Sequence, residues 1–255
     1  MKNAFLPNFF SFKQANDLVR IGRDYDGGYL VSKSDIQKTD TLIGLGISDD
    51  WSFEEDFLSE NKVSIYAYDA SVSKNFFLKQ LIKSAVRVDN LKIFVHWLNV
   101  LLGYKKFFSQ PNVNHIQKFV GLNSNSNQHC TFMDVLTQVD SNDIFLKIDI
   151  EGSEYRFLHD IVANEERITG LVIELHDVDI HLNEIEKFIN QFSLNLVHVH
   201  ANNFAPIRAD DDLPLVLELT FSKYSTNTAE YKLPHNLDMP NDKNRSEYEI
   251  SVNGK

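Results

Sequence analysis

The chain has 255 residues, 43% of them hydrophobic, which is enough for one large α/β domain with a substantial core. A formal net charge of −11 argues against non-specific nucleic-acid binding, whose affinity comes from a basic surface. The single cysteine, Cys130, excludes a disulfide framework within the chain, fits a reducing compartment, and reads as a small buried apolar residue rather than a nucleophile.

The apolar run near the N-terminus is broken by Pro7 and Asn8, and no small-residue cleavage site follows it, so no signal peptide is expected. No apolar run reaches membrane-spanning length, and a soluble cytoplasmic protein is the expectation. Gly27-Gly28 after Asp26 predicts a tight turn into a short strand. Thr41-Leu-Ile-Gly-Leu-Gly-Ile-Ser48 predicts an apolar strand running into a glycine turn. A helix over 51–60 and a strand over 63–69, ending in Asp69, follow. Residues 73–110 carry apolar spacing of helical period and form a long insertion, read as a lid, a substrate wall or an oligomer surface.

A strand is expected over 117–121, then a polar loop over 122–127. Thr131 and Asp134 have capping-box spacing at the start of the next helix. Strands are predicted at 143–150, 168–176, 194–200 and 215–221, with helices at 151–162 and 182–192. The alternation argues for a mostly parallel sheet covered by helices on both faces. The last two strands lack a helix between them and read as an antiparallel hairpin at a sheet edge. The tail from residue 224 reads as polar and loop-like, and residues 1–255 as a single domain.

The most informative stretch is Phe145-Leu-Lys-Ile-Asp-Ile-Glu-Gly-Ser-Glu154. It begins as a buried strand and delivers Asp149, Glu151 and Glu154 where open α/β sheets bind ligands. Desolvated carboxylates there need a ligand, a metal or a cation, although acids also favour a first helical turn, a role open to Glu154. Gly44 and Gly46 let the backbone approach a ligand, and Asp69, about 20 residues further on, is placed to accept from two ribose hydroxyls. Asp49 falls where the third glycine of a dinucleotide fingerprint belongs. With Asp50 it would repel a pyrophosphate, which favours a nucleoside without phosphates, such as S-adenosylmethionine. Asn123 is a further candidate for cofactor contact.

Asp149, His176 and His198 are a candidate divalent-metal set at polar strand ends, and they equally suit a base with its orienting partner. Asp149, Glu151, His176 and His200 are the candidate catalytic residues. Asp26, Tyr29, Asn202 and Asn203 are candidates for substrate contact, with plain turn chemistry as the alternative.

Asp149-Ile-Glu-Gly-Ser-Glu154 resembles the Asp-x-Glu-Gly-x-Glu signature of the FkbM-like methyltransferase family. Asp26-Gly-Gly-Tyr29, Gly44-Leu-Gly46, Ile173-Glu-Leu-His176, His198-Val-His-Ala-Asn-Asn203 and Leu237-Asp-Met-Pro-Asn241 resemble that family's segments, in the same order. The resemblance implies a Rossmann-like class I methyltransferase fold, with a seven-stranded, mostly parallel sheet and an antiparallel last strand. It implies S-adenosylmethionine as cofactor, held by Gly44, Gly46 and Asp69, and methyl transfer to oxygen. The expected acceptor is a sugar hydroxyl on a nucleotide-activated sugar or a capsule or cell-surface glycan precursor. By analogy with metal-assisted O-methyltransferases, Asp149 and His176 match metal positions at the ends of the fourth and fifth strands.

The expected partners are small molecules, with no nucleic acid, no membrane span and a homo-oligomer as one use of residues 73–110. The rival readings are a nicotinamide-dependent sugar oxidoreductase or epimerase, and a nucleotide-sugar-binding protein without catalysis. The first lacks the third glycine and a Tyr-x-x-x-Lys dyad, since Tyr155 is followed four residues on by His159.

Overall fold

The computed structural model describes residues 2–86, 91–121, 126–226 and 233–252. The chain opens with β1 (Lys2–Leu6), then the hairpin β2 (Leu18–Ile21) and β3 (Tyr29–Ser32), turned at Gly27-Gly28. The Ser32 hydroxyl caps α1 (Lys33–Lys38) by accepting from the Asp35 N–H. β4 (Thr41–Leu45), α2 (Ser52–Glu60) and β5 (Ser64–Tyr68) follow. Next comes a helical hairpin, α3 (Lys74–Val86) and α4 (Leu91–Phe107), and then β6 (Val113–Ile116).

The strand expected over 117–121 is divided. β6 precedes it in the main sheet, while β7 (Phe119–Val120) pairs with β8 (His129–Cys130) in a separate two-stranded sheet. Thr131 and Asp134 form a reciprocal capping box on α5 (Phe132–Thr137). β9 (Ile144–Ile148) leads into a short 3-10 turn and α6 (Leu158–Ala163), and then to β10 (Ile168–Leu175) and α7 (Val178–Gln191). β11 (Asn195–Ala201) and β12 (Leu217–Ser222) close the main sheet. The tail is not all loop: β13 (Tyr248–Val252) pairs in parallel with β1, burying Ala4 and Leu6 opposite Ile250 and Val252.

The seven-stranded sheet has the order β11-β12-β10-β9-β4-β5-β6. β10, β9, β4, β5 and β6 are parallel, and β12 runs antiparallel between β10 and β11. Alternation along the strands separates two cores. Ile43, Leu45, Ile148, Ile173 and Leu219 face α5, α6 and α7, while Leu42, Ile65, Phe145 and Val172 face the α2 and α4 side. Three residues that break the apolar pattern, Lys147, Glu174 and Glu218, are buried on the second face. The strand order reverses between β4 and β9, which places a topological switch point there. No helix among the described residues is long and apolar enough to cross a membrane.

Candidate functional site

A cleft of about 520 Å³ opens over the ends of β4, β5 and β9. Its walls include Gly46, Ser48, Asp69, Phe119, Lys147 and Asp149. Gly46 has φ +84°, and a Cβ there would collide with the Asp149 carbonyl, so the turn requires glycine. Asp69 braces the same turn. Its Oδ2 accepts from the N–H of Ile47 (3.1 Å) and Ser48 (2.9 Å). Its Oδ1 accepts from the N–H of Ser71 (2.7 Å) and the Ser71 hydroxyl (2.6 Å). Burial alone would raise the Asp69 pKa, but these bonds outweigh it and hold the carboxyl below its usual range. Asp69 is therefore already engaged by its own chain. Of its four donors, the Ser71 hydroxyl is the one that rotates freely away.

Gly44 does not line the cleft. It faces α2, where the Glu54 carboxyl sits in the space a side chain at 44 would take. Glu54 is fully buried, and neither carboxyl oxygen has a hydrogen-bond partner. Burial pushes its pKa up to about 7, with the Lys147 ammonium pulling the other way. Lys147 donates to the Gly46 carbonyl (2.6 Å) and stands 3.9 Å from Asp149.

Beside the cleft lies a layer of acids. Glu174, Glu218 and His200 are cross-strand neighbours on β10, β12 and β11, and the Tyr29 hydroxyl lies 3.2 Å from both Asp149 Oδ2 and Glu174 Oε2. One hydroxyl proton can be donated to only one of the two carboxyl groups at a time. Burial, then Asp149 and Glu218, raise the Glu174 pKa well above the usual range, against His176 and Asn202. Asn202 donates to Glu174 (2.9 Å), Asn241 to Glu218 (2.7 Å), and Asn241 stands 3.4 Å from Asp26. Asp26 lines the cleft, and its pKa is raised by burial, with Glu218 and Asp149 adding to the rise against Asn241 and Arg23.

The loop after β9 is shaped by Glu154, which is fully buried. Its Oε1 accepts from the N–H of Ile150 (3.1 Å) and Gly152 (3.2 Å) and lies 3.1 Å from His176 Nδ1. Glu151 at φ 54° and Gly152 at φ 91° make the turn, leaving the Glu151 side chain 88% exposed. His176 Nε2 lies 3.5 Å from Glu151 and 3.7 Å from Glu174. Burial would lower the His176 pKa, but Glu154 and Glu174 lift it to about 9.

Asp149, Glu151 and His176 offer ligand atoms within 4.8 Å of one another. His198 is not among them. It pairs with Asp238 of the tail at 2.9 Å, because the bulge between Leu196 and His198 and the intervening β12 set it apart. His200 is buried between Glu218 (3.0 Å) and Glu247 (3.4 Å) and does not line the cleft. Asn203 is spent on the tail, donating toward the carbonyls of Asp242 and Arg245 and accepting from the Asp242 N–H. Asn202 is likewise engaged, by Glu174 and the Phe204 N–H. Asn123 lies outside the described residues.

Sequence reasoning passed over Glu54, Glu174, Glu218 and Asn241. The strand acids had a signal, since Val-Ile-Glu-Leu and Leu-Glu-Leu place a charge within a buried run.

No family model and no curated protein matches the chain. Among solved structures it is similar to precorrin-6y C5,15-methyltransferase from Geobacter metallireducens. The identity is 16%, over 74% of this chain and 84% of that one, with a TM-score of 0.39. It is similar to TrmK from M. capricolum, solved with S-adenosyl-homocysteine, at 13% identity over 78% and 69%, with a TM-score of 0.37. A third is the Methanococcus jannaschii fibrillarin pre-rRNA processing protein, at 10% identity over 75% and 70%, with a TM-score of 0.37. The strand order, with antiparallel β12 between β10 and β11, is that of the Rossmann-like class I methyltransferase fold.

Proposed function

We propose that the protein is an S-adenosylmethionine-dependent O-methyltransferase acting on a carbohydrate hydroxyl, as a nucleotide-activated sugar or a glycan precursor. The observation that carries this reading is a single cleft that joins the Gly46 turn and Asp69 to Asp149 across the switch point. The donor set fits the cofactor. Ser71 can yield its place on Asp69 to a ribose hydroxyl, and Phe119, 44% exposed, offers a face for adenine. Asp49 at the cleft wall disfavours a pyrophosphate and suits an ammonium. Bound S-adenosylmethionine would supply an electrophilic methyl group.

The chain's own task is to hold the acceptor hydroxyl in line and remove its proton. Asp149 is the residue assigned to that proton. Tyr29 and Lys147 fix its Oδ2, and Oδ1 is the oxygen given to the acceptor. Asp26 accepts from a neighbouring sugar hydroxyl, and Lys118 on the cleft wall suits a phosphate. His200 and Asn202 support the acid layer and Asn203 the tail, rather than touch substrate.

A metal-assisted form of the reaction is supported by the grouping of Asp149, Glu151 and His176. Glu154 on His176 Nδ1 orients the ring with Nε2 outward, as a carboxylate behind a ligating histidine does. A divalent ion there would lower the acceptor pKa, and it would have to displace the proton that His176 keeps up to about pH 9.

Calorimetric titration with S-adenosylhomocysteine, with NAD as control, tests the cofactor. Saturable binding near −8 kcal/mol, with none to NAD, is expected. Mass spectrometry of a nucleotide-sugar panel, with and without chelator, then tests the acceptor and the metal. Binding of NAD instead would move the assignment to an oxidoreductase. Cofactor binding without methylation of any acceptor would move it to a binding protein.

A further inference from the structure

None of the described residues of α3 and α4 lines the cleft, yet α4 is fastened to its cofactor half through Tyr104 and, on β6, His115. His115 Nε2 lies 2.9 Å from the Asp69 main-chain carbonyl, and the Tyr104 hydroxyl lies 2.6 Å from His115 Nδ1. Chemistry fixes the direction of both bonds. A carbonyl oxygen only accepts, so Nε2 carries the ring proton. Burial lowers the His115 pKa, against the Asp69 carbonyl and charge, and burial raises that of Tyr104. The ring is therefore neutral, Nδ1 is an acceptor, and Tyr104 donates to it.

Asp69 is thereby gripped along its whole length. Its N–H donates to the Ile116 carbonyl (3.1 Å), its carbonyl accepts from His115, and its carboxylate accepts from Ile47, Ser48 and Ser71. The Tyr104 ring, itself buried, also meets Trp51 edge to face, with 5.8 Å between centroids, just beyond the Gly46 turn. Phe77 and Phe108 pack on the same ring at 5.2 and 4.7 Å. One residue of α4 thus holds both the strand end that bears Asp69 and the segment leaving the turn that Asp69 braces. A binding group works only where supporting contacts hold it to within about 0.5 Å. We infer that Tyr104 and His115 are positioning residues for the cofactor, setting the Asp69 carboxylate where two ribose hydroxyls meet it. The role of the helical insertion is then to build the nucleoside wall from behind. This inference rests on the cofactor reading given above.

The test is calorimetric titration of the full chain with S-adenosylhomocysteine, in wild type, His115→Leu, His115→Gln and Tyr104→Phe. Leucine fills the site without a donor, whereas the glutamine amide can place an N–H where Nε2 stands. His115→Leu should weaken binding by about tenfold, His115→Gln should restore it to within about threefold of wild type, and Tyr104→Phe should cost about threefold. A packing role alone would favour leucine over glutamine. Circular dichroism checks that each variant folds, and Tyr104→Phe, which keeps the ring and its packing, decides the matter if His115→Leu does not fold. Nitrogen NMR of the wild-type protein should show the Nε2–H tautomer at His115. Unchanged affinity in His115→Leu or in Tyr104→Phe overturns the inference, as does a glutamine variant no better than leucine, or an Nδ1–H tautomer. Wild-type protein that binds no S-adenosylhomocysteine overturns the cofactor reading and this inference with it. The tautomer, read without ligand, tells that failure from a failure of the His115 geometry.

Discussion

A side chain at position 44 would place its Cβ 2.5 Å from Glu54 Oε1. The glycine at the middle of β4 and the buried acid of α2 are therefore one fitted unit, and each limits the other. Gly44→Ala must push the Glu54 carboxyl out of its niche. A melting-temperature loss equivalent to about 1–3 kcal/mol is expected, typical of overpacking a tight core.

Glu54 itself makes stability depend on pH. Its folded pKa is raised from 4.5 to about 7, so the folded state holds a proton that the unfolded state releases. Relative stability is full below about pH 4.5 and is lost as pH rises through about 7. The shift corresponds to about 3 kcal/mol at alkaline pH. Glu54→Gln should flatten this slope and gain stability at pH 8 while changing little at pH 5, as read by urea melts. A slope identical to wild type would show that Glu54 is not the titrating group.

Asp69 ties three backbone N–H groups into the cleft rim. Asp69→Ala should lower the melting temperature and remove binding of S-adenosylhomocysteine in calorimetry. Ser71→Ala removes only the rotatable donor and should keep affinity within about tenfold of wild type. Equal losses in both variants would place the ribose elsewhere.

The Tyr29 hydroxyl stands between Asp149 and Glu174, 3.2 Å from each. Tyr29→Phe removes that hydroxyl and leaves two acids facing each other, at an expected cost of about 1–3 kcal/mol in stability. Methyl transfer should fall with it. Glu174→Gln retains an acceptor for Tyr29 and should keep most of the turnover, whereas Asp149→Asn should abolish it with cofactor affinity unchanged. Turnover is the deciding measurement.

The tail is held by an ion pair that acid should release. Burial would raise the Asp238 pKa, but His198 outweighs it and holds the carboxyl at about 2 against 3.8. Its contribution is full above about pH 4 and is lost as pH falls through about 2, an effect on the order of 2 kcal/mol. Asp238→Asn should remove that acid-side slope and loosen residues 233–252, measured by limited proteolysis at neutral pH.

The sheet was legible because its strands advertise themselves. Leu42 to Leu45, Phe145 to Ile148 and Leu171 to Leu175 are short apolar runs, and the acids beyond Ile148 mark the ligand end of the sheet. The Gly46 turn and Asp69 could be paired from their spacing, although the partners that saturate Asp69 could not. The histidines misled for a physical reason. Alternation places His198 and His200 on the correct face, yet it does not reveal that β12 inserts beside them or that the tail supplies Asp238 and Glu247 as their partners. Asn241 and β13 were hidden in the same way, since polar tail residues acquire meaning only through contacts far away in sequence.

The parallel pairing of β1 with β13 carries a consequence for biosynthesis. Lys2–Leu6 is made well before its ladder partner, Tyr248–Val252. The tail also brings Asp238, Asn241 and Glu247 to His198, Glu218 and His200. A chain lacking these residues holds all seven strands of the main sheet, with His198, Glu218 and His200 short of their tail partners. The acid layer is thus completed only once residues 238–247 have been made.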